Sequence, residues 1–329
     1  MKQQHILLTA LPIVFFCTID CWAGTGISIQ FPPDNSFVDN EQFSIVLTVE
    51  KQVLDGIRVV IGENKPTEIS VRPDSTNVCF GVTLSKGINT IELLGLKQGK
   101  VIAQKEMKIF FRSDLFPSFR EPPANFNRYF FHVINNEKSC SGCHDMDPTL
   151  SSLRPENPEK STCYVCHKKK YTQYTFVHKP AAQGTCFTCH EVLRGERKYT
   201  VPKPDDKVCY PCHNAEVKGW KSKKIMHGPT AVGHCTMCHN PHGSEWPALL
   251  RMQTTDLCIN CHEDKASGSH VIAGFVGKGH PVRNAKDSFN PNKEFTCASC
   301  HNPHAGNTQN LLNHDNSNMA LYCNNCHKM

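Results

Sequence analysis

The sequence Cys-x-x-Cys-His occurs eight times in the 329-residue chain, and this repetition limits its fold more than any other feature. The motifs use 16 of the 17 cysteines that follow residue 23. Their cysteine pairs are Cys140/Cys143, Cys163/Cys166, Cys186/Cys189, Cys209/Cys212, Cys235/Cys238, Cys258/Cys261, Cys297/Cys300 and Cys323/Cys326. The histidines directly after them are His144, His167, His190, His213, His239, His262, His301 and His327. The second part of the chain must therefore be organised around what these groups bind.

A histidine after every cysteine pair favours covalently attached haem c. Each thiol adds to one haem vinyl group, and the two-residue gap matches two vinyls on one side of the ring. The following histidine is then held beneath the iron as its proximal ligand. Zinc sites also use paired cysteines, and an exported chain could form disulfides, but neither requires that histidine. We therefore expect eight covalently attached haem c groups.

The motifs form four units of two. Within successive units the first cysteines are 23, 23, 23 and 26 residues apart. A histidine also lies eight residues before the first cysteine of units one to three and 17 residues before that of unit four. We call these the upstream histidines: His132, His178, His227 and His280. The units span residues 132–167, 178–213, 227–262 and 280–327, which predicts one repeated structure carrying two haems per unit.

Units three and four are the closest copies, because in both the first motif continues as His-Asn-Pro-His. We call the last residue of that run the trailing histidine; it is His242 in unit three and His304 in unit four. Units one and two have Asp147 and Leu193 there. These repeats resemble the doubled CxxCH domain of multihaem c-type cytochromes over roughly residues 130–329. The resemblance implies closely packed haems with bis-histidine irons that carry electrons.

Nine histidines remain after His5 and the eight proximal histidines are set aside. Eight irons need eight distal ligands, so this number favours mostly bis-histidine ligation. The expected distal ligands are His132, His178, His227, His242, His270, His280, His304 and His314. His234 is the weakest candidate, because the other units have serine or threonine at its position. Units one and two contain only two of these ligands, so their other irons borrow a ligand, use Met146 or stay open.

The part before the motifs has a different composition. Ile, Leu and Val make up 27 of the 92 residues from 24 to 115, but only 24 of the 214 residues that follow. Seven short β-branched runs separated by turns predict an all-β, immunoglobulin-like sandwich over residues 24–115. Cys79 lies outside the motifs, and we predict that it is a buried strand residue. In the second part (130–329), few aliphatic residues predict a loop-rich, short-helix domain with the haems as its core.

The first residues predict export. A single Lys2, an apolar run from Ile6 to Phe16 and the small residue Ala23 indicate a signal peptide over residues 1–23. The apolar run is shorter than the ~18 residues needed to span a bilayer, so an uncleaved anchor fits less well. We expect a mature chain without a transmembrane segment, in the periplasm or on the outer surface. The proline-rich segment 116–129 is predicted to be a linker.

These expectations favour an electron carrier over an enzyme, because bis-histidine iron has no free site for a substrate. Its partners would be other cytochromes, a membrane quinol-oxidising complex or an extracellular acceptor. One alternative is an octahaem reductase of nitrogen or sulfur oxyanions with one open iron. Another is a subunit of an extracellular filament or surface complex, in which the chain forms oligomers. The haem propionates would offset the basic charge of residues 116–329, so we expect no nucleic-acid partner.

Overall fold

The computed structural model describes residues 26–138, 140–142, 144–146, 158–168, 173–191, 197–266, 286–287, 292–314 and 319–325. It has a sheet-rich first part and a second part of loops, short helices and two-residue strands, in agreement with the two-part prediction. The predicted signal peptide lies outside the described residues. So do five predicted site residues: Cys143, His270, His280, Cys326 and His327.

Nine strands within residues 26–138 form two sheets. They are β1 (Ile27–Phe31), β2 (Ser36–Val38), β3 (Gln42–Val49), β4 (Gly56–Ile61), β5 (Thr67–Ser70), β6 (Asn77–Thr83), β7 (Gly87–Lys97), β8 (Lys100–Phe111) and β9 (Asn127–Arg128). The smaller sheet has the order β1-β3-β6, and the larger has the order β5-β4-β7-β8-β2-β9. The two sheets share one hydrophobic core.

Strand alternation explains which residues enter that core. In β3 the side chains of Ile45, Leu47 and Val49 are buried in the core, whereas Ser44 and Thr48 are not, and Val46 is buried outside this core. Ile57 and Leu93 of the larger sheet belong to the same core and are fully buried. Successive side chains of a strand point to opposite faces, so each sheet contributes one apolar face.

All seven predicted strands are present, but β2 and β9 are additional. β2 pairs in parallel with both β8 and β9, an arrangement at this edge that the sequence did not predict. Strands of two or three residues are too short to show an alternating pattern. β9 also lies inside segment 116–129, which we predicted to be a linker. There Phe126 is buried, with its ring centroid 6.0 Å from that of Phe110, so this segment packs against the sheet.

The helices of the second part are four to eight residues long and mostly overlap or lead into a motif. The described ones are Ile134–Glu137, Tyr164–His167, Lys179–Ala182, Asp206–Cys209, Asn214–Lys221, Gly228–Ala231, Thr254–Ile259, Cys297–Cys300 and Met319–Cys323. Among the described residues, no helix combines the length and apolar character needed to cross a membrane.

Apolar burial is concentrated in the first part. Beyond residue 129, the large apolar side chains that are buried in the described part of the chain are Val217, Leu257 and Phe295. Three such side chains are too few to form a core like that of the sandwich, and none of them belongs to the sandwich core. The second part therefore depends on its hydrogen bonds and on whatever its cysteines and histidines hold.

Leu93→Ala should lower the free energy of unfolding by about 2–5 kcal/mol, because it removes a fully buried side chain between the two sheets. Ile88→Ala on the same strand is the matched control. Ile88 is 55% exposed, so its truncation should cost less than about 0.5 kcal/mol. Urea unfolding of the holoprotein followed by far-ultraviolet circular dichroism measures both. Equal effects would contradict the placement of β7.

Candidate cofactor site

Five proximal histidines each have a distal candidate at nearly the same separation. The ring centroids are 6.1 Å apart for His167 and His132, 6.3 Å for His213 and His178, 6.2 Å for His190 and His242, 6.1 Å for His262 and His227, and 6.0 Å for His239 and His304. The planes of each pair differ by 7–34°. All ten residues are ligand candidates that the sequence predicts, but the sequence does not predict which of them pair.

The pairs follow two rules. An upstream histidine lies opposite the second proximal histidine of its own unit, as His178 does with His213. A trailing histidine lies opposite the first proximal histidine of the preceding unit, as His242 does with His190. Units three and four thus each complete a site of the unit before them.

A short backbone clamp positions each trailing histidine beside an upstream one. Strand β10 (Phe176–Val177) pairs with β12 (Gly243–Ser244), and the His178 N–H donates to the His242 carbonyl at 3.0 Å. Strand β11 (Ile225–Met226) pairs with β13 (Ala305–Gly306) in the same way, and the His227 N–H donates to the His304 carbonyl at 2.9 Å. Each clamp therefore holds one imidazole for each of the two motifs of a unit.

Carbonyl groups orient the first proximal histidine of units two to four. The Nδ1 atoms of His190, His239 and His301 lie 2.8, 2.8 and 2.6 Å from the carbonyl oxygens nine residues further on. A carbonyl can only accept, so Nδ1 carries the proton and Nε2 keeps its lone pair. Outer partners of this kind fix the tautomer and the ring orientation of histidines that bind metals.

Unit one departs from this pattern. The Nδ1 atom of His132 lies 2.9 Å from a carboxylate oxygen of Glu137, whose other oxygen lies 2.7 Å from Lys198 Nζ. Glu137 is 3% exposed, so this ion pair is shielded from water. The His132 carbonyl accepts a hydrogen bond from the Lys198 N–H, whereas in each clamp the N–H of an upstream histidine donates to the carbonyl of a trailing histidine. Neither Glu137 nor Lys198 recurs in the other units, so the repeat gave no signal for them.

Burial keeps several distal candidates neutral. It lowers the pKa of His132 and His227, and together with nearby histidines it lowers the pKa of His304 to about 4. A neutral imidazole is the form that binds a metal. Trp220, on helix Asn214–Lys221, stacks on His304 with 4.3 Å between the ring centroids, and sequence analysis missed this contact.

Contacts between cysteines connect the motifs in sequence order. The side chains of Cys163 and Cys186, of Cys209 and Cys235 and of Cys258 and Cys297 lie next to each other, which links motifs two to three, four to five and six to seven. Within units two and three, Cys189 lies near Cys212 and Cys238 near Cys261; burial raises the pKa of Cys189 and of Cys238, and the neighbouring thiol raises it further. Attachment points two to seven are thus consecutive neighbours.

A buried carboxylate also joins two units. Asp205 of unit two accepts hydrogen bonds from the backbone N–H of Thr236 at 2.8 Å and from its hydroxyl at 2.7 Å. Thr236 lies between the cysteines of motif five, and Lys203 donates to the other oxygen of Asp205. This contact fixes motif five beside motif four.

The outer face of the smaller sheet covers motifs one and two. Cys79 is exposed on β6, opposite in parity to the core residues Val78 and Val82, so the prediction that it is buried is wrong. Its thiol is hydrogen-bonded to Cys166, which raises the pKa of Cys79. The Ser44 hydroxyl donates to the Cys166 carbonyl at 3.5 Å. The sandwich therefore packs against the first unit.

Three other described candidates have different surroundings. His144 is exposed, and so is His234, beside Cys235. His314 lies 5.7 Å from Tyr322 between ring centroids, and the Tyr322 hydroxyl donates to the Cys300 carbonyl at 2.7 Å. His314 thus belongs near motif seven.

The paired histidines fit a haem iron. Two imidazoles that bind one metal from opposite sides have centroids about 6 Å apart, because each side adds about 1 Å of ring radius to a metal–nitrogen bond of about 2 Å. The observed separations match this value. The neutral rings and the protonated Nδ1 atoms are also what an iron ligand requires.

Comparison with known families agrees with this fit. The model of the family described as "Doubled CXXCH motif" matches residues 178–218, 227–267 and 290–329. Three doubled CXXCH repeats are consistent with a multihaem c-type cytochrome and imply covalently bound haem c. They also indicate a role in electron transfer. A search of curated proteins found no match.

Gly243→Ala should destabilise the first clamp by about 1–3 kcal/mol. A Cβ there would lie 2.5 Å from Tyr174 Cδ2 and 2.8 Å from the Phe176 carbonyl oxygen. Gly219→Ala is the matched control, because its Cβ would meet no atom within 4 Å. Thermal unfolding should show a lower midpoint for Gly243→Ala and an unchanged or higher one for Gly219→Ala. A midpoint for Gly243→Ala equal to wild type would argue against the clamp.

Proposed function

We propose that this chain is an exported octahaem c-type cytochrome that carries electrons along a line of mostly bis-histidine haems. The observation that supports this most directly is the set of five histidine pairs at one separation. Bound haem c would supply a reversible one-electron couple at each iron. The chain's own residues hold that iron from both sides and keep other ligands away.

The ligand assignment follows from the two pairing rules. His132, His178 and His227 would bind the irons of motifs two, four and six, and by the same rule His280 would bind that of motif eight. His242 and His304 would bind those of motifs three and five. His314, near motif seven, is the candidate for that iron. This distribution explains how units with few histidines of their own obtain ligands.

The cysteine contacts support a path in sequence order. Contacts between units join the first cysteines of neighbouring motifs, and contacts within units two and three involve the second cysteines. Two junction types thus alternate along the chain. A line of this kind has two ends, and motifs one and two lie at the end covered by the sandwich.

Several parts of this proposal concern the setting of the protein. The two facing sheets support an immunoglobulin-like domain, with the parallel β2 and β9 as its departure from that fold. The signal-like first residues support a periplasmic or outer-surface location. Other cytochromes, a membrane quinol-oxidising complex or an extracellular acceptor would exchange electrons with the ends of the line.

The intact mass of the purified holoprotein should equal that of the chain cut before Gly24 plus eight haems.

His242→Ala should convert one haem from low to high spin in the electron paramagnetic resonance spectrum, because it removes one axial ligand. His234→Ala is the control, since His234 is exposed beside motif five without a paired ring, and should leave the spectrum unchanged. A mass without haem, or identical spectra for both variants, would contradict the proposal.

Glu137 should tune the iron of motif two. A carboxylate that accepts from Nδ1 makes His132 a more basic ligand, which favours ferric iron and lowers the potential. Glu137→Gln should raise the midpoint potential of one haem by roughly 60 mV, equivalent to a tenfold change in a one-electron equilibrium. Glu216, 56% exposed and 4.0 Å from His213 Nδ1, provides the control Glu216→Gln with little shift. Potentiometric titration that shows equal shifts would contradict this role.

A further inference from the structure

We infer that the iron held by His144 is the one that takes a small exogenous ligand, a neutral or anionic molecule with one carbon, nitrogen or oxygen donor atom. This inference rests on the proposed function, because it requires haem at motif one. The sequence allows an iron of unit one or two to stay open, and this inference assigns that iron to motif one.

The trailing histidines His242 and His304 serve motifs three and five, so the rules leave motifs one and seven without one, and His314 lies near motif seven. The first iron of a unit takes its distal ligand from the trailing histidine of the next unit, as with His190 and His242 or His239 and His304. For motif one, the corresponding residue lies three positions after His190. That residue is Leu193, which cannot bind iron.

In unit one the backbone of His132 makes a contact that differs from those in the clamps. In the clamps, the backbone of an upstream histidine bonds to that of a trailing histidine. Here the His132 carbonyl instead accepts from the Lys198 N–H at 3.0 Å. Lys198 cannot serve as the ligand, because its ammonium group is 2.7 Å from Glu137 and 3.1 Å from the Met146 carbonyl. The contact between His132 and Lys198 therefore supplies no metal ligand.

The described residues offer His144 no imidazole partner. His144 is exposed, and within the described ranges no histidine ring faces it as His242 faces His190. His234 is held beside motif five and His314 near motif seven. His280 is assigned to motif eight by the upstream rule. His270, which lies outside the described residues, is the competing ligand that an experiment must test.

The surroundings of motif one suit a small polar ligand. Cys140 borders a cavity of about 160 Å³ between the smaller sheet and helix Ile134–Glu137. Gln30 and Asn135 are among the residues that line it. The volume is that of about five water molecules at about 30 Å³ each, so it admits molecules of a few heavy atoms. Gln30 and Asn135 carry amide groups, which are hydrogen-bond donors of the kind that an oxyanion or a diatomic oxide accepts from.

Carbon monoxide is the probe, because it binds reduced haem iron only where a coordination position is free. Titration of the dithionite-reduced holoprotein, followed by its Soret band, should show one carbon monoxide bound per eight haems. Leu193→His restores the trailing histidine and should abolish that binding. Leu193→Ala is the control and should retain one site. His242→Ala should bind two, because it opens a second iron.

The outcomes separate this inference from the proposed function. Intact mass gives the haem count for every variant, so a failure of haem attachment is seen independently. Wild-type protein with eight haems and no carbon monoxide binding would overturn the inference while leaving the carrier intact. Appearance of one site only in His270→Ala would overturn it by identifying His270 as the ligand. Binding that persists in a fully loaded Leu193→His protein would also overturn it.

Discussion

The second part of this chain depends on one constraint, which is that the rings of five described histidine pairs stay about 6 Å apart between their centroids. Units two and three do not by themselves supply every histidine that their motifs pair with. The clamps solve this by pairing two-residue strands, so that His178 and His242 leave a common backbone contact and serve different motifs. Consecutive units are therefore joined by the same bonds that position the paired histidines.

This arrangement also explains why so little apolar side chain is needed after residue 129. In the sandwich, residues such as Ile57 and Leu93 are removed from water by the facing sheet, which is the usual source of stability in a domain of this size. In the second part, covalent attachment and axial ligation would take over that role. Short helices then serve mainly to place individual groups, as helix Asn214–Lys221 places Trp220 against His304.

Much of this could be predicted from sequence, and the failures have physical causes. Regular alternation predicts seven strands, but β2 and β9 are too short to alternate; β2 depends on long-range pairing with β8, and β9 on pairing with β2. Cys79 was assigned to the core because it lies on a strand between apolar residues, yet its parity directs it outward to Cys166. The repeat identified the distal candidates, whereas their pairing depends on the clamps between units. Glu137 and Lys198 have no counterparts in the other units, so the repeat could not predict their roles.

The sandwich gives the line of motifs a direction. The face of its smaller sheet covers motifs one and two through contacts such as that of Ser44 with Cys166. Unit one also has the Glu137–Lys198 ion pair in place of a clamp. By the pairing rule its first motif would be completed by unit two, which has Leu193 at the trailing position. The departure at motif one is therefore a substitution within the repeat, and it falls at the end of the line of motifs that the sandwich covers.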